Sequence, residues 1–517
     1  MSAVFHPTGI YLFGLGGGFL LPILYQLGPR WLHAGFWIAL SGMTACAVLP
    51  AFEVLGSGIA IDIFTAGAAP PLSINLRFGP WEAAVSASAT LVAALLAVGF
   101  WETLRTRYVA LLLFLIATMG VNGLIQTRDL FNMFVFLEIL SIGTYGLLAL
   151  LTTPQGVQAA FKYVIATMVA SALVLLGSAL LYTATGHLNI DLLIAAAPSL
   201  SAPLAGAALA MLLAGYLIEL KPYPAGGWGL DVYQTAPAPL AAFLSVVGSA
   251  GLVFALGKLL PLYPGALGPL AALAALTFLA SNLAGLRQTD VFRMLGYSSI
   301  GQMALLVIAL TALSEIGAAA VMPFVLFGLF ANHLLAKAGL FCLAGALGAR
   351  RVDQPLSLAA RPLLAGLLGL FVLAISGLPP FPGFWAKWEL ILQLAGAQRH
   401  LLIAIILIGS LCEAAYLFRW FLRALGPAEE AAPARTPTLR DLVPVAGFAA
   451  LLVLCGAAGA TLSGALGWPV VLPLTVGALL CLAEPLPGRV KAVAMLGAVA
   501  LGGALLPQPP GLPGLFA

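Results

Sequence analysis

The sequence predicts an all-α polytopic membrane protein of about 14–16 transmembrane helices, with two inverted five-helix repeats and broken helices 7 and 12. Three observations carry this reading. The 517 residues are 62% hydrophobic and 8% charged, with a mean hydropathy of +1.08, whereas a soluble domain carries roughly 25% charged residues. About sixteen apolar runs are long enough to cross a hydrocarbon core of ~30 Å. Two of these runs, five apart, are interrupted by proline and glycine clusters. Five is odd, so the two broken helices cross in opposite directions, as an inverted repeat requires.

Taken in order, the first two runs are 8–27 and 32–52. A polar interval from Glu53 to Pro80 contains Ile-Ala-Ile-Asp62-Ile and Leu-Ser-Ile-Asn-Leu, both alternating with period two, which predicts a small extramembrane hairpin. Runs 81–101 and 108–126 follow, and the fifth run carries Glu138. The sixth, 159–184, has Lys162 near its start. The seventh, from 203, meets Glu219-Leu-Lys221-Pro-Tyr-Pro-Ala-Gly-Gly-Trp228, where two prolines and two glycines must interrupt a helix. Runs 237–259, 265–286, 291–313 and 318–345 come next, the last holding His333 and Lys337. The twelfth, from 363, breaks at Gly377-Leu-Pro-Pro-Phe-Pro-Gly383 and resumes with Lys387; the thirteenth, 400–424, holds Glu413. A polar linker, 426–440, precedes runs at 442–462, 469–486 and 490–506. The chain thus divides into N-terminal spans (1–105), a first repeat (106–260), a second repeat (265–425) and a linker with C-terminal spans (426–517).

Composition excludes several classes of function. The net charge of +4 is small and spread over short loops, so no nucleic-acid partner is expected. There is no dinucleotide fingerprint and no phosphate-binding loop. Cys46, Cys342, Cys412, Cys455 and Cys481 form no CxxC and lie in apolar runs, so they read as small core residues. No catalytic residue, cofactor or metal site is expected in this chain. The N-terminus lacks a basic stretch ahead of its apolar run and reads as a first span rather than a cleaved signal. Orientation follows from loop cations: loops after odd-numbered runs carry thirteen arginines and lysines, from Arg30 to Lys491, and loops after even-numbered runs only Arg77, Arg128, Lys258 and Arg399. The richer side is cytoplasmic.

Buried charge is the functional signal. Glu138 lies ten residues after Arg128, so ~15 Å along a helix at 1.5 Å per residue, about half of the ~30 Å core. A carboxylate at that depth is a functional hypothesis by default. Glu138, Lys162, Glu219, Lys221, His333, Lys337, Lys387 and Glu413 form a series of protonatable groups suited to passing a proton, because neighbours and burial tune each one. His333 and Lys337 are four apart and share a helix face. Plainer roles stand beside these: a structural ion pair for Glu138, a satisfied core position for His333, snorkelling to headgroups for Lys162 and Arg419, solvation for Glu389, and an outer-interface place for Lys258. Glu413 is deep enough to partner Lys387. Trp228, Trp385 and Trp388 read as packing and interface anchors.

At these residues the chain resembles a known family. Asp129-Leu-Phe-Asn-Met-Phe-Val-Phe-Leu-Glu138 resembles the fifth-helix motif of the antiporter-like subunits of respiratory complex I and of Mrp-type multisubunit cation/proton antiporters. In the same order, Ala160-Phe-Lys162-Tyr163, Gln288-Thr-Asp290-Val-Phe-Arg293-Met-Leu-Gly-Tyr297-Ser298-Ser299-Ile-Gly-Gln302, His333-Leu-Leu-Ala-Lys337 and Gly377-Leu-Pro-Pro-Phe-Pro-Gly383-Phe-Trp-Ala-Lys387 resemble further motifs of that family. The resemblance implies about fourteen helices, two inverted five-helix units and a proton path through the fifth-helix glutamate and lysines of the seventh, eighth and twelfth helices. It is strongest to the D subunit of Mrp antiporters and its counterparts in membrane-bound hydrogenases.

Two departures stand out. With Tyr223-Pro224 aligned on the family's Phe-Pro, the usual seventh-helix lysine position holds Glu219, and Lys221 lies two residues later, ~200° around a helix unless the break realigns it. The eighth-helix lysine would fall near Ser249 or Ala250, where there is no charge. The resemblance implies a proton-translocating membrane subunit of a Na+/H+ antiporter or of a complex-I-like, redox-driven pump in a cell's inner (plasma) membrane. Its partners would be other membrane subunits, the lipid bilayer, H+ and, in the antiporter setting, Na+. The weakened first half leaves open a non-conducting scaffold for a hydrogenase, quinone reductase or carbon-uptake partner. Enzyme activity would belong to the complex, not to this chain.

Overall fold

The computed structural model describes residues 5–150, 153–427 and 435–462. The runs at 469–486 and 490–506 lie outside the described residues. Helices α1 (Gly9–Leu27) and α2 (Pro29–Ser57) precede a two-stranded antiparallel hairpin, β1 (Ile61–Phe64) and β2 (Asn75–Phe78), with Ile61 opposite Phe78. The hairpin lies where the period-two alternation places it. Helices α3 (Pro80–Leu104), α4 (Tyr108–Gln126), α5 (Leu130–Ala149) and α6 (Pro154–Thr185) follow, then a short α7 (Ile190–Ala196). The seventh crossing is split into α8 (Ala202–Leu220) and α9 (Gly227–Thr235). Next come α10 (Ala238–Leu262), α11 (Leu267–Gly285), α12 (Val291–Glu315) and α13 (Met322–Leu347). The twelfth crossing is split into α14 (Pro362–Ile375) and α15 (Pro382–Gly396), and α16 (His400–Leu425) and α17 (Leu439–Leu462) complete the described chain. Thirteen of the described helices are long and apolar enough to cross a bilayer, and α14 with α15 adds a broken crossing. The chain is a multi-pass α-helical membrane protein.

The same local landmarks recur in two parts of the chain. Asp129 caps α5 by accepting from Asn132 N at 2.9 Å, and Asp290 caps α12 by accepting from Arg293 N at 2.8 Å. Each cap satisfies an amide that the first helical turn would leave unpaired. Beside each cap the chain makes an isolated antiparallel bridge, Asp129 with Asn189 and Asp290 with Arg351. The helices leading to those bridges, α6 and α13, both end on a left-handed glycine, Gly186 (φ 71°) and Gly348 (φ 68°). Both breaks open on a left-handed residue, Lys221 (φ 63°) and Gly377 (φ 74°), and a proline follows three residues later, Pro224 and Pro380.

Helices α4, α10, α12 and α13 are the most enclosed of the described spans. Apolar residues cover most of every face, as on helices surrounded by other helices, and the polar side chains among them are buried too. Small residues bring neighbours close: a Cβ at Gly120 of α4 would lie 2.8 Å from the Leu140 backbone nitrogen of α5. In a bilayer, where lipid is as apolar as leucine, this close approach replaces the hydrophobic drive to associate.

Candidate functional site

The second half holds a continuous buried chain of polar groups. Lys337 Nζ donates to Ser298 Oγ, and Ser298 Oγ donates to Glu413 Oε1. Gln302 Nε2 donates to Glu413 Oε2 at 2.6 Å. Lys337 and Glu413 are both fully enclosed. Leaving either charge unpaired there would cost several kcal/mol, so the serine bridge and the glutamine are what make the pair tolerable. Lys387 donates to Ser410 Oγ at 2.9 Å, and Glu413 is in electrostatic contact with both Lys337 and Lys387. The sequence reading offers Glu413 as a partner of Lys387; the two are in electrostatic contact, while the direct hydrogen bonds of Glu413 go to Ser298 and Gln302 and Lys387 is held by Ser410. Ser410 precedes Glu413 by three residues on α16, so both face the same way.

Each member is positioned by its helix. Lys387 sits on the second turn of α15, beyond the break. Gly377 makes room for it: a Cβ there would stand 2.8 Å from Lys387 Nζ. Asn332 of α13 donates to Ala374 O at 3.0 Å, satisfying one of the carbonyls at the end of α14. The next residue, His333, meets Ser245 O through Nε2 at 3.1 Å. Ser245 lies in a π-helical stretch of α10, Phe243–Gly248, and its hydroxyl meets Ser299 Oγ at 2.7 Å. Such π-bulges recur at functional sites. His333 Nδ1 has no hydrogen-bond partner among the described residues.

The first half is arranged differently. Lys221 is itself the left-handed cap of α8, so its side chain leaves the helical path at the break. Its Nζ turns back to Glu219 O at 2.9 Å and lies 5.0 Å from the centre of the Trp228 ring. Trp228 stacks on Tyr163 at 4.8 Å, and the Tyr163 hydroxyl meets Thr144 Oγ1 at 2.9 Å. Trp228 is thus a packing residue, as the sequence reading has it, and what it packs against is Tyr163 and Lys221. Gly229 is required by the same contact, because a Cβ there would lie 2.3 Å from Lys221 Cδ. Glu219 is buried, and its Oε1 has no hydrogen-bond partner among the described residues. Glu138 is half-buried, near the middle of α5. Its charge reaches Glu219 and Tyr145, and among the described residues it makes no hydrogen bond or ion pair. Glu138 is therefore in electrostatic contact with a second carboxylate, Glu219, which Lys221 also influences.

Three further cations are placed. Lys162 is half-exposed and pairs with Asp231 Oδ2 at 2.6 Å, at the mouth of a polar cavity of about 510 Å³ rather than deep in the membrane. Lys258, read as an outer-interface residue, is buried and donates to Leu124 O, Ile125 O and Thr127 O at 2.7, 3.1 and 2.6 Å. It terminates α4 by satisfying carbonyls that have no partner further along the helix. Arg419, read as snorkelling, donates to Leu286 O at 2.7 Å and Gln288 O at 3.0 Å. Ser249 and Ala250, where the family's lysine would stand, line a largely apolar cavity of about 330 Å³. Ser298, Gln302, Ser410 and Asp231 complete these arrangements, and the sequence reading gives none of them a role. The first three are neutral, so a search for buried charge passes over them.

Comparison with known proteins follows the same pattern. Residues 127–412 match the family model described as NADH:quinone oxidoreductase/Mrp antiporter, transmembrane. The chain is similar to NADH-quinone oxidoreductase subunit N of Desulforudis audaxviator, 32% identical over 406 residues, which cover 75% of this chain and 79% of that one. It is similar in structure to a chain of the archaeal membrane-bound sulfane sulfur reductase, with 26% identity and a TM-score of 0.79 over 97% of this chain and 99% of the other. It also resembles a chain of respiratory complex I from Thermus thermophilus, with 28% identity and a TM-score of 0.72 over 88% and 97%.

Proposed function

The chain belongs to the NADH:quinone oxidoreductase/Mrp antiporter transmembrane family, and on that premise we propose that it is the proton-translocating membrane subunit of a multisubunit complex in the plasma membrane. Segments 106–260 and 265–425 serve as its two repeats. Glu138, Glu219 and Lys221 belong to the first half-channel, with Lys162 at its mouth. His333 and Lys337 link it to Glu413 and Lys387 in the second. The observation that carries this reading is the buried Lys337–Ser298–Glu413 hydrogen-bonded chain, with Lys387 beyond it.

That chain suits proton transfer for a definite reason. Lys337 gives a proton to Ser298 Oγ as Ser298 gives its own to Glu413 Oε1. The products are a neutral amine, an unchanged serine and a neutral carboxylic acid. Proton and charge balance, and a buried ion pair becomes a buried neutral pair. In a low-dielectric interior the two states lie closer in energy than in water, because desolvation opposes the charged one. When Lys387, held by Ser410 beyond the second break, has released its own proton onward, neutral Glu413 passes its proton to that free amine, which leaves a Glu413 carboxylate and a Lys387 ammonium.

The partners would be other membrane subunits, as in the complexes of the relatives, with H+ and, in an antiporter setting, Na+ as transported ions. A non-conducting scaffold is the second reading. It is favoured by one observation: among the described residues no cation makes an ion pair with Glu138, and Ser249 and Ala250 bring no charge. Proton flux into vesicles holding the whole complex separates the two. Flux that falls in both Glu138→Ala and Lys387→Ala supports translocation; undiminished flux in both defeats the proposed path.

A further inference from the structure

The two breaks can be laid over each other residue by residue. Lys221 and Gly377 are the left-handed caps, and Pro224 and Pro380 follow each by three. Seven residues after each proline stands a charged side chain, Asp231 on α9 and Lys387 on α15. Asp231 is therefore the first repeat's counterpart of Lys387. It is held quite differently. Its Oδ2 meets Lys162 of α6 at 2.6 Å, and its Oδ1 accepts from Arg293 of α12 at 2.8 Å. Arg293 Nη1 also donates to Gln234 Oε1 of α9 at 3.1 Å. The carboxylate thus joins the segment beyond the first break to one helix of its own repeat and to one helix of the other. The polar cavity of about 510 Å³ opens beside it, with Asp290 and Arg350 as the further charged groups on its wall.

The clasp continues inward. Lys162 is followed by Tyr163 on α6, and Asp231 is preceded by Trp228, about one turn back on α9. Those two rings are stacked, and Lys221 Nζ rests over Trp228 and, at 5.8 Å, Tyr233. The Asp231–Lys162 pair and the Trp228–Tyr163 stack therefore join the same two helices at successive levels. The place of α9 fixes the floor on which Lys221 lies.

We propose that Asp231 is a positioning residue of the first half-channel: its carboxylate clasps α9 between α6 and α12, and through Trp228 holds Lys221 against Glu219. The inference rests on the proton-carrying reading. The test is proton flux in vesicles holding the whole complex, with assembly checked by recovery of the complex. Asp231→Asn keeps the shape and removes the charge; flux should fall about tenfold, the loss of one charge-assisted contact. Asp231→Glu should restore most of it, which a side chain that merely fills space would not do. Asp231→Asn and Lys162→Gln combined should fall no further than either alone, whereas Asp231→Asn combined with Ser410→Ala, in the other repeat, should lose the product of the two effects. Unchanged flux in Asp231→Asn, a Glu variant no better than the Asn one, or additive effects with Lys162→Gln overturn the inference while wild-type flux stands. A wild-type complex that carries no protons overturns the functional reading, and this inference with it.

Discussion

Ser298 is the narrowest point of the buried chain, and Ser298→Ala is the sharpest perturbation of it. The hydroxyl accepts from the Lys337 ammonium and donates to the Glu413 carboxylate, so one oxygen serves both charges. A hydrogen bond to a charged group contributes about 1.5–3 kcal/mol. Losing both contacts, with partial recovery as Lys337 and Glu413 shift toward each other, leaves a deficit of about 3 kcal/mol, or roughly two powers of ten in rate. Gln302 still donates to Glu413 at 2.6 Å, so the carboxylate keeps one partner and the helices keep their packing. The assay is proton flux, by a pH-sensitive dye inside vesicles holding the whole complex, normalised to recovered complex. Flux near one hundredth of wild type is the expected outcome. Flux within twofold of wild type in a fully assembled Ser298→Ala complex would refute the serine bridge as a step of the path.

Two other substitutions separate architecture from conduction. Gly377→Ala places a Cβ at φ 74° and 2.8 Å from Lys387 Nζ; the left-handed backbone alone costs about 1–2 kcal/mol. A lower thermal midpoint of the complex and a loss of flux are expected together, and a change in neither would contradict the crowding argument. Lys258→Met keeps the apolar stem but leaves the carbonyls of Leu124, Ile125 and Thr127 without their donor, at about 1–3 kcal/mol for each buried acceptor left unpaired. The thermal midpoint should fall while flux per assembled complex holds; an unchanged midpoint would show that Lys258 does not secure α4.

Much of the fold is legible in the sequence because the physics is local. Period-two alternation around Asp62 gives the hairpin, and proline with glycine at 222–227 and 377–383 gives the breaks. The i,i+4 spacing of His333 and Lys337 puts them on one buried face. What is not legible depends on where separate helices meet. Counting residues along an unbroken helix does not place Lys221, because it forms a left-handed cap and its ammonium lies over Trp228. Lys258 looks interfacial from its place near a helix end, yet three carbonyls of another helix receive it. Lys162 sits within an apolar run, but Asp231 and an open cavity keep it half-exposed. Glu413 takes its hydrogen bonds from α12, more than a hundred residues away in sequence, so no spacing rule pairs them. Ser298 lies inside a motif that stands out in the sequence, and its neutrality hides its part in the chain.

Whether protons cross this subunit through its buried charges is tested most directly by comparing proton flux for the wild-type complex, Glu138→Ala and Lys387→Ala in one vesicle preparation. Both variants should assemble and both should lose at least about tenfold in flux, since each removes a protonatable group for which the path offers no substitute. Wild-type flux in both variants would contradict this path and leave the chain as a scaffold.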